Sequence, residues 1–293
     1  MDKPAGPTSH DVVSWVRRVL RTREVGHTGT LDPFATGLMV LLLGRATRLA
    51  RFVEGDRKRY LATARLGVAT TTDDASGEMV DRRSDGSAVD RPTVAEVEAA
   101  LASFVGAQRQ RPPAFSAKHV DGERSYAKAR RGEAVELAEV DVVVHAVELV
   151  GYDYPELRFR VSVSAGTYVR ALARDLGERL GVGAHLTALR REAIGNLRVG
   201  QAVPLEALVP ETPLLPPLEL LGHLHRLEIT EAEARDLGFG RSVRLAVDRA
   251  AAPGSAGSSA WSAAVAPGDR LIAIGRVERD EFRPQVVLEA AQR

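Results

Sequence analysis

Apolar residues at Val12, Val13, Val16 and Leu20 fall at helical spacing, which predicts a helix over 10–21 with Ser9 as its N-cap. The unbroken apolar run Leu38 to Leu43 reads as a buried strand, Ala46 to Val53 as a helix, and Tyr60 to Leu66 alternates as a strand does. Residues 67–91 are polar and Asp-rich and read as loop. Thr93 followed by Glu96 forms a capping box for a helix to about Val105. The segment Arg109 to Ser116 carries Pro112-Pro113 and must be extended. A short helix is expected over Glu123 to Arg131. Two strong strands follow, Val140 to Val150 and Leu157 to Ser164, joined by a turn at Gly151 to Glu156. Thr167 is expected to cap a helix to about Leu180, and Ala184 to Glu192 to form another.

The texture changes after about 210. Pro210, Pro213, Pro216 and Pro217 mark a linker over 210–221. Beyond it lie a strand at Leu227 to Ile229, a helix capped by Thr230, and strand-like runs at Leu271 to Val277 and Gln285 to Leu288. Ala250 to Ala260 is low-complexity, small-residue sequence. The pattern predicts an α+β main domain over 1–209, with a small, mainly β module over 222–293.

Composition narrows the chemistry. The 293 residues contain no cysteine, which removes disulfides, thiolate metal sites and a thiol nucleophile. Leu38 to Leu43 is the longest apolar run, far short of the roughly 20 residues that span a bilayer. The opening residues lack a signal peptide's apolar core, so a soluble, cytoplasmic protein is expected. The net charge is +1, yet its distribution is uneven. Residues 1–66, 109–131 and 157–198 carry +6, +5 and +5, while 67–100 and 132–156 carry −5 and −7. Positive segments of this kind can converge on a polyanion, or can simply be paired on solvated faces. Arginine supplies 36 of the 40 basic residues and suits phosphate forks and base stacking.

Candidate chemistry concentrates in Gly26-His27-Thr28-Gly29-Thr30-Leu31-Asp32-Pro33-Phe34-Ala35-Thr36-Gly37. Three glycines and a proline in twelve residues specify a particular backbone path. A phosphate-binding P-loop would end in Gly-Lys-Ser/Thr, which is missing. Asp32 is either a turn cap or a nucleophile or general base, a carboxylate able to attack a sugar or base carbon or to stabilise an oxocarbenium ion. The second reading needs a rigid loop to aim it and a cation beside it.

This loop resembles the catalytic motif of the TruB family of tRNA pseudouridine synthases, and the resemblance extends along residues 1–209 in family order. Asp2-Lys3-Pro4, Gly6 and Thr8-Ser9-His10-Asp11 are similar to its N-terminal motif. Arg59-Tyr60, Ala64-Arg65-Leu66-Gly67 and Thr70 to Gly77 resemble its second motif, and Pro112-Pro113-Ala114-Phe115-Ser116-Ala117 its Pro-Pro segment. Gly166-Thr167-Tyr168-Val169-Arg170 with Asp175-Leu176-Gly177 resembles the motif carrying its arginine. Gly183-Ala184-His185-Leu186 and Leu189-Arg190-Arg191 continue it.

The resemblance implies a pseudouridine synthase fold, with a mixed, largely antiparallel central sheet flanked by helices and loops. It implies isomerisation of the T-arm uridine of tRNA, position 55, through base flipping, without cofactor, metal or guide RNA. The enzyme would be monomeric and would have no membrane partner. Asp32 becomes the catalytic carboxylate, Arg170 its partner, and Tyr168 a pocket residue that helps remove the C5 proton. Tyr60 stacks on the flipped base, His27 fills its place in the RNA, and Asp74 organises the network. Arg59, Arg109, Arg111, Lys118 and Arg124 become RNA contacts, the last four on a gripping arm over 109–131. Taken singly, Tyr60 also reads as a core aromatic, His27 as a capping residue, Arg170 as a surface charge and Asp74 as solvated.

The chain departs from the family pattern at Phe115, where tyrosine is usual, and at Thr71, where aspartate is frequent. The lysine of the arm stands one place early, at Lys118, with His119 in its usual position. Residues 222–293 resemble a PUA-type RNA-binding domain. A tRNA chaperone whose catalysis is secondary is the rival reading.

Overall fold

The computed structural model describes residues 1–53, 55, 57–80, 91–115, 119–120, 123–124, 137–246 and 261–289, with 119–120 and 123–124 described in backbone alone. The chain forms two compact units, each assembled from separated stretches of sequence. The first comprises Met1–Val12, Thr30–Met39 and Gly55–Ala207; the second comprises Val13–Gly29, Val40–Glu54 and Leu208–Arg293.

An eight-stranded sheet forms the frame of the first unit. Its strands are β1 (Asp2–Lys3), β2 (Thr36–Leu38), β3 (Lys58–Leu66), β4 (Gly106–Gln110), β5 (Val140–Asp153), β6 (Glu156–Val163), β7 (Ala184–Ile194) and β8 (Leu197–Arg198). They lie in the order β1-β2-β7-β3-β6-β5-β4, with β8 paired to β7. In this sheet β2 and β7 run parallel, and the other pairings are antiparallel. Alternation in sequence becomes two faces in space. Tyr60, Ala62, Ala64 and Leu66 of β3 are buried, as are Leu157, Phe159, Val161 and Val163 of β6. They share one core with Val97 and Leu101 of helix α2 (Val94–Ala102) and Val169, Leu172 and Leu176 of α3 (Val169–Arg179). The expected capping box at Thr93 and Glu96 is present on α2.

In the second unit β9 (His225–Glu228), β10 (Val243–Arg244), β11 (Trp261–Ala266), β12 (Arg270–Glu278) and β13 (Glu281–Val287) form a sheet in the order β9-β11-β12-β13-β10. Helix α4 (Glu231–Gly238), opened by a Thr230–Glu233 capping box, buries Leu237 against a core that includes Ile272 and Phe282. The fold is α+β, with a small β-rich C-terminal part, as expected from the pattern.

Several local expectations are corrected. Ala184 to Glu192 is a central strand and not a helix. Its Ala, Leu and Arg favour helix, but β7 finds partners on both sides, in β3 and β2. Two bulges, at Leu186/Ala188 and Arg191/Ala193, interrupt its alternation, so that buried Leu186, Leu189 and Ala193 mimic helical spacing. The apolar run Leu38 to Leu43 is two strands, one ending β2 and the other, Leu41–Leu43, pairing with Val25–His27. Ala46 to Val53 is largely a 3₁₀ turn, Gly44–Leu49, with one α-turn at Ala50–Val53. Glu123–Arg124 is a strand paired with His119–Val120, not the start of a helix. The Asp121-Gly122 dipeptide between them is the hairpin signal that could have shown it. The rest of that expected helix, 125–131, and the loop 250–260 lie outside the described residues.

Gly37 shows how tightly β2 is set beside β7. Its φ is +104°, and a Cβ there would stand 2.4 Å from the carbonyl oxygen of Arg191. Gly37→Ala is expected to lower stability by at least about 2 kcal/mol, through backbone strain and collision together. Urea unfolding checks this, and a variant as stable as the wild type would contradict it.

Candidate active site

The Asp32 loop is built from its backbone outward. Asp32 and Pro33 occupy the first two positions of a β-turn closed by the Ala35 amide donating to the Asp32 carbonyl at 3.1 Å. Two buried cations grip the loop by its carbonyl groups. Lys3 donates to Pro4, Pro33 and Ala35 at 2.9, 3.2 and 2.7 Å. Arg191, on β7, donates to Leu38 at 2.6 Å and Thr30 at 3.1 Å. Ser9 completes the clamp: its hydroxyl accepts from the Leu31 amide at 2.8 Å and donates to the Leu31 carbonyl at 3.0 Å. Ser9 is therefore not the N-cap expected for helix α1 (Ser9–Val19). Thr8 takes that place, its hydroxyl accepting from the Asp11 amide while Asp11 accepts from the Thr8 amide.

Arg170 approaches the carboxylate from α3. Its Nη2 donates to Asp32 Oδ1 at 3.0 Å, and its Nε lies 2.9 Å from Oδ2 without hydrogen-bond geometry, an ion pair carrying one hydrogen bond. The guanidinium is fixed on its other edges. Nη1 donates to the Thr72 carbonyl and Nη2 to the Phe115 carbonyl, both at 2.9 Å, and Asp74 Oδ2 lies 3.5 Å from Nη1. The Arg170 side chain is 5% exposed and that of Asp32 37%, so the cation is sealed while the carboxylate opens to solvent. Thr167 does not cap α3 as expected. The N-cap is Tyr168, whose amide donates to the Gln110 side chain at 2.8 Å and whose carbonyl accepts from it at 3.1 Å.

Asp74 is buried in a turn of its own making. Its Oδ1 accepts from the Thr72 hydroxyl at 2.8 Å, from the Ser76 amide at 2.9 Å and from the Ser76 hydroxyl. One helical turn beyond Arg170, Arg174 bonds Asp73 at 3.0 Å and the Arg111 carbonyl at 2.9 Å and pairs with Asp175. The two arginines thus tie the 72–74 turn and the Pro-Pro segment to one helix face.

Burial and neighbours set the charges. Burial pushes the Asp32 carboxyl above the usual range; Arg170 pulls it down, Asp74 pushes it up, and Lys3 pulls it down. Burial pushes Asp73 up to about 6, against the pull of Arg174 and Arg170. Its contribution to stability is therefore full below about pH 3.9 and is lost as pH rises through about 6. Burial brings the Lys3 ammonium down to about 8, opposed by Asp32 and reinforced by Arg191. The resulting site is an anchored, partly open carboxylate with a guanidinium behind it, suited to attack on carbon or to proton abstraction.

Comparison with known proteins places the chain in a family. The TruB family pseudouridylate synthase N-terminal domain model matches residues 17–169, and the tRNA pseudouridylate synthase B C-terminal domain model matches 170–212. The chain belongs to the TruB family. It is 48% identical over 253 residues to the tRNA pseudouridine synthase B of Leifsonia xyli subsp. xyli, covering 84% of this chain and 83% of that protein. It is 40% identical to that of Synechococcus sp. strain WH7803, covering 99% and 96%. A similar solved structure is the archaeal box H/ACA sRNP Nop10–Cbf5 complex, with 24% identity, a TM-score of 0.71, and coverage of 99% of this chain and 85% of that one. That likeness concerns the pseudouridine synthase fold.

The family motifs thus converge in part. Asp32, Asp74 and Arg170 form one network, and Tyr168 begins the helix that carries Arg170. Tyr60 is 7% exposed and belongs to the core that includes Leu31 and Ala35. Arg59, its neighbour on β3, takes the opposite face and pairs with Glu192 at 3.2 Å. Arg109 is exposed and pairs with Glu139 at 3.2 Å, while Arg111 enters the network through its carbonyl. His27 ends a strand of the second unit, its Nδ1 accepting from the Gly29 amide at 3.3 Å. Lys118 lies outside the described residues, and Arg124 is described in backbone alone. Sequence reasoning missed the clamp. Lys3, Ser9 and Arg191 stand inside the family motifs, but nothing in their spacing marks them as ligands of the loop backbone.

Adjacent arginines test the clamp. Arg191→Leu takes this donor from the buried Leu38 carbonyl and from the part-buried Thr30 carbonyl and is expected to cost at least about 2 kcal/mol. Arg190→Leu removes a half-exposed pair with Asp2 and is expected to cost under about 1 kcal/mol. Equal losses in urea unfolding would contradict this division of roles.

Proposed function

We propose that this chain isomerises uridine to pseudouridine in tRNA, at position 55 of the T-arm, acting alone without a guide RNA. The observation that carries the reading is the hydrogen-bonded ion pair of Asp32 with a buried arginine, in a loop held by its backbone. Pseudouridine formation breaks the C1′–N1 bond, turns the base, forms a C1′–C5 bond and releases the C5 proton. Asp32 acts on the sugar, either as nucleophile at C1′ or by taking the C2′ proton. Both routes require an ionised carboxylate that does not swing, and Arg170 meets both requirements. A protein that only bound or refolded tRNA would have no use for that pairing.

The target uridine leaves the stack to reach Asp32. In the roles that family resemblance suggests, Tyr60 stacks on the extruded base, His27 takes its place in the RNA, and Tyr168 assists departure of the C5 proton. Asp74 acts through Arg170, since the guanidinium lies within reach of both carboxylates. Arg59, Arg109, Arg111, Lys118 and Arg124 contact phosphates, so the folded stem-loop is read by shape and backbone. Residues 1–209 make the catalytic part and 222–293 a PUA-like RNA-binding part, joined over 210–221, and the reaction takes place in the cytoplasm.

A transcript of unmodified tRNA carrying tritium at C5 of its uridines tests the reading. Wild-type protein is expected to release tritium to water, Asp32→Asn to release none above background, and a transcript with cytidine at position 55 to give none. Undiminished release by the Asp32 variant would overturn the assignment. Undiminished release from the cytidine transcript would overturn the site in the RNA.

A further inference from the structure

The positive charge of residues 1–66 is not all used at the site described above. Arg17, Arg18, Arg21 and Arg23 fall within seven residues, at the last turn of α1 and just beyond it, in the second unit. With Ser14 and Thr22 they line an open concavity of about 700 Å³ that no acidic side chain among the described residues borders. Among the described residues, none of these four arginines forms an ion pair with a carboxylate, whereas Arg59, Arg109 and Arg160 all do. The nearest acids in sequence are placed elsewhere: Asp11 is bound to Thr8, and Glu24 is exposed outside the lining.

The helix end holds these groups in place. Arg17 and Arg18 already complement the carbonyl end of α1, so Arg21 and Arg23 exceed what the helix needs. The Thr22 amide returns to the Arg17 carbonyl at 3.2 Å, with Arg21 at φ +50° in the left-handed position where glycine is usual. Arg17 also donates to the Val25 carbonyl at 3.2 Å, tying the outgoing chain to the helix. The Arg18 guanidinium sits 4.4 Å from the centre of the Trp15 ring, whose residue is 38% exposed. Stacking fixes the plane of that guanidinium and leaves its N–H groups free to point outward.

Four arginines without carboxylate partners repel one another unless a polyanion lies across them. A single small anion could not neutralise four cations spread over an open surface, whereas a nucleic-acid strand presents one charge per about 3.4 Å of axis. The hydroxyls of Ser14 and Thr22 supply further donors to phosphate oxygens. Insertion into a lipid surface would call for a cluster of exposed apolar groups, and along residues 14–23 Trp15 is the only exposed apolar side chain. We propose that Arg17, Arg18, Arg21 and Arg23 form a docking surface for the phosphodiester backbone of the RNA substrate. It is separate from the residues assigned above to the flipped base and the arm. The proposal rests on the RNA-substrate reading and adds to it a second place of contact.

The test compares full-length wild type with Arg18→Gln/Arg21→Gln/Arg23→Gln and with the corresponding triple lysine variant, in binding of unmodified tRNA transcript across a salt titration. The glutamine triple is expected to lower the slope of log affinity against log salt by about two to three, since each phosphate that an arginine neutralises adds roughly 0.9 to it. The lysine triple is expected to keep the wild-type slope. A wild-type slope in the glutamine triple, or an equal loss in both triples, would overturn the proposal. So would an unchanged RNA slope accompanied by lost binding to phosphatidylserine vesicles, which would assign the patch to membrane instead. If the wild type itself neither binds the transcript nor releases tritium from it, the RNA-substrate reading fails. If it does both while the slope stays unchanged, only this surface fails.

Discussion

The contact between Arg170 and Asp32 is the constraint around which the first unit is arranged. A carboxylate can act on a sugar carbon only if it is ionised, correctly aimed and open to the ribose. Those needs conflict, because the burial that aims a carboxylate also favours its neutral form. The structure divides the burden: the guanidinium is sealed in protein while the carboxylate remains partly open. Arg170 is held from three further directions, by the Thr72 and Phe115 carbonyls and by Asp74, and so has little freedom to follow a moving partner. Removing one member of such a pair leaves a buried charge without compensation, which is commonly costlier than the pair is stabilising.

The Asp32 loop is aimed by groups that never touch its carboxylate. Lys3 and Arg191 are among the largest fully buried side chains in the protein, yet each directs its charge at backbone carbonyl groups. Burying a cation is unfavourable, and here charge-assisted hydrogen bonds offset part of the penalty. Lys3 also adds positive charge near Asp32, and so opposes the upward push of burial on that carboxyl. Gly37 lets β2 lie close against the backbone of Arg191, so the sheet itself carries the clamp. Arg174 and Asp73 extend the same construction along α3 to the Pro-Pro segment.

Much of this was legible in the chain, for identifiable reasons. The alternation of β3, the strand-forming runs of β5 and β6 and the caps at Thr93 and Thr230 are local signals, and the structure keeps them. The ordered motifs pointed to Asp32, Asp74 and Arg170, which the fold brings together from positions up to 138 residues apart. What was not legible depends on long-range packing. β7 carries helix-favouring residues and two bulges, and becomes a strand only because β3 and β2 are there to pair with it. Arg191 stands on that strand, so its place beside the Asp32 loop depends on the same long-range pairing. Ser9 likewise had the composition of a cap; the Thr8-x-x-Asp11 spacing is the local signal that could have given the cap to Thr8, but nothing local says that Ser9 holds Leu31.

The most direct test of the account is the titration of the Asp32 carboxyl itself, followed by carbon NMR of selectively labelled protein, in the wild type and in Arg170→Met. Burial with partial compensation places the wild-type carboxyl above the ordinary aspartate value near 3.9. Loss of the guanidinium, with Asp74 still present, is expected to raise it further. A wild-type carboxyl at or below about 3.9, or one that stays put or falls when Arg170 is replaced, would contradict the claim that this pairing governs the charge of Asp32.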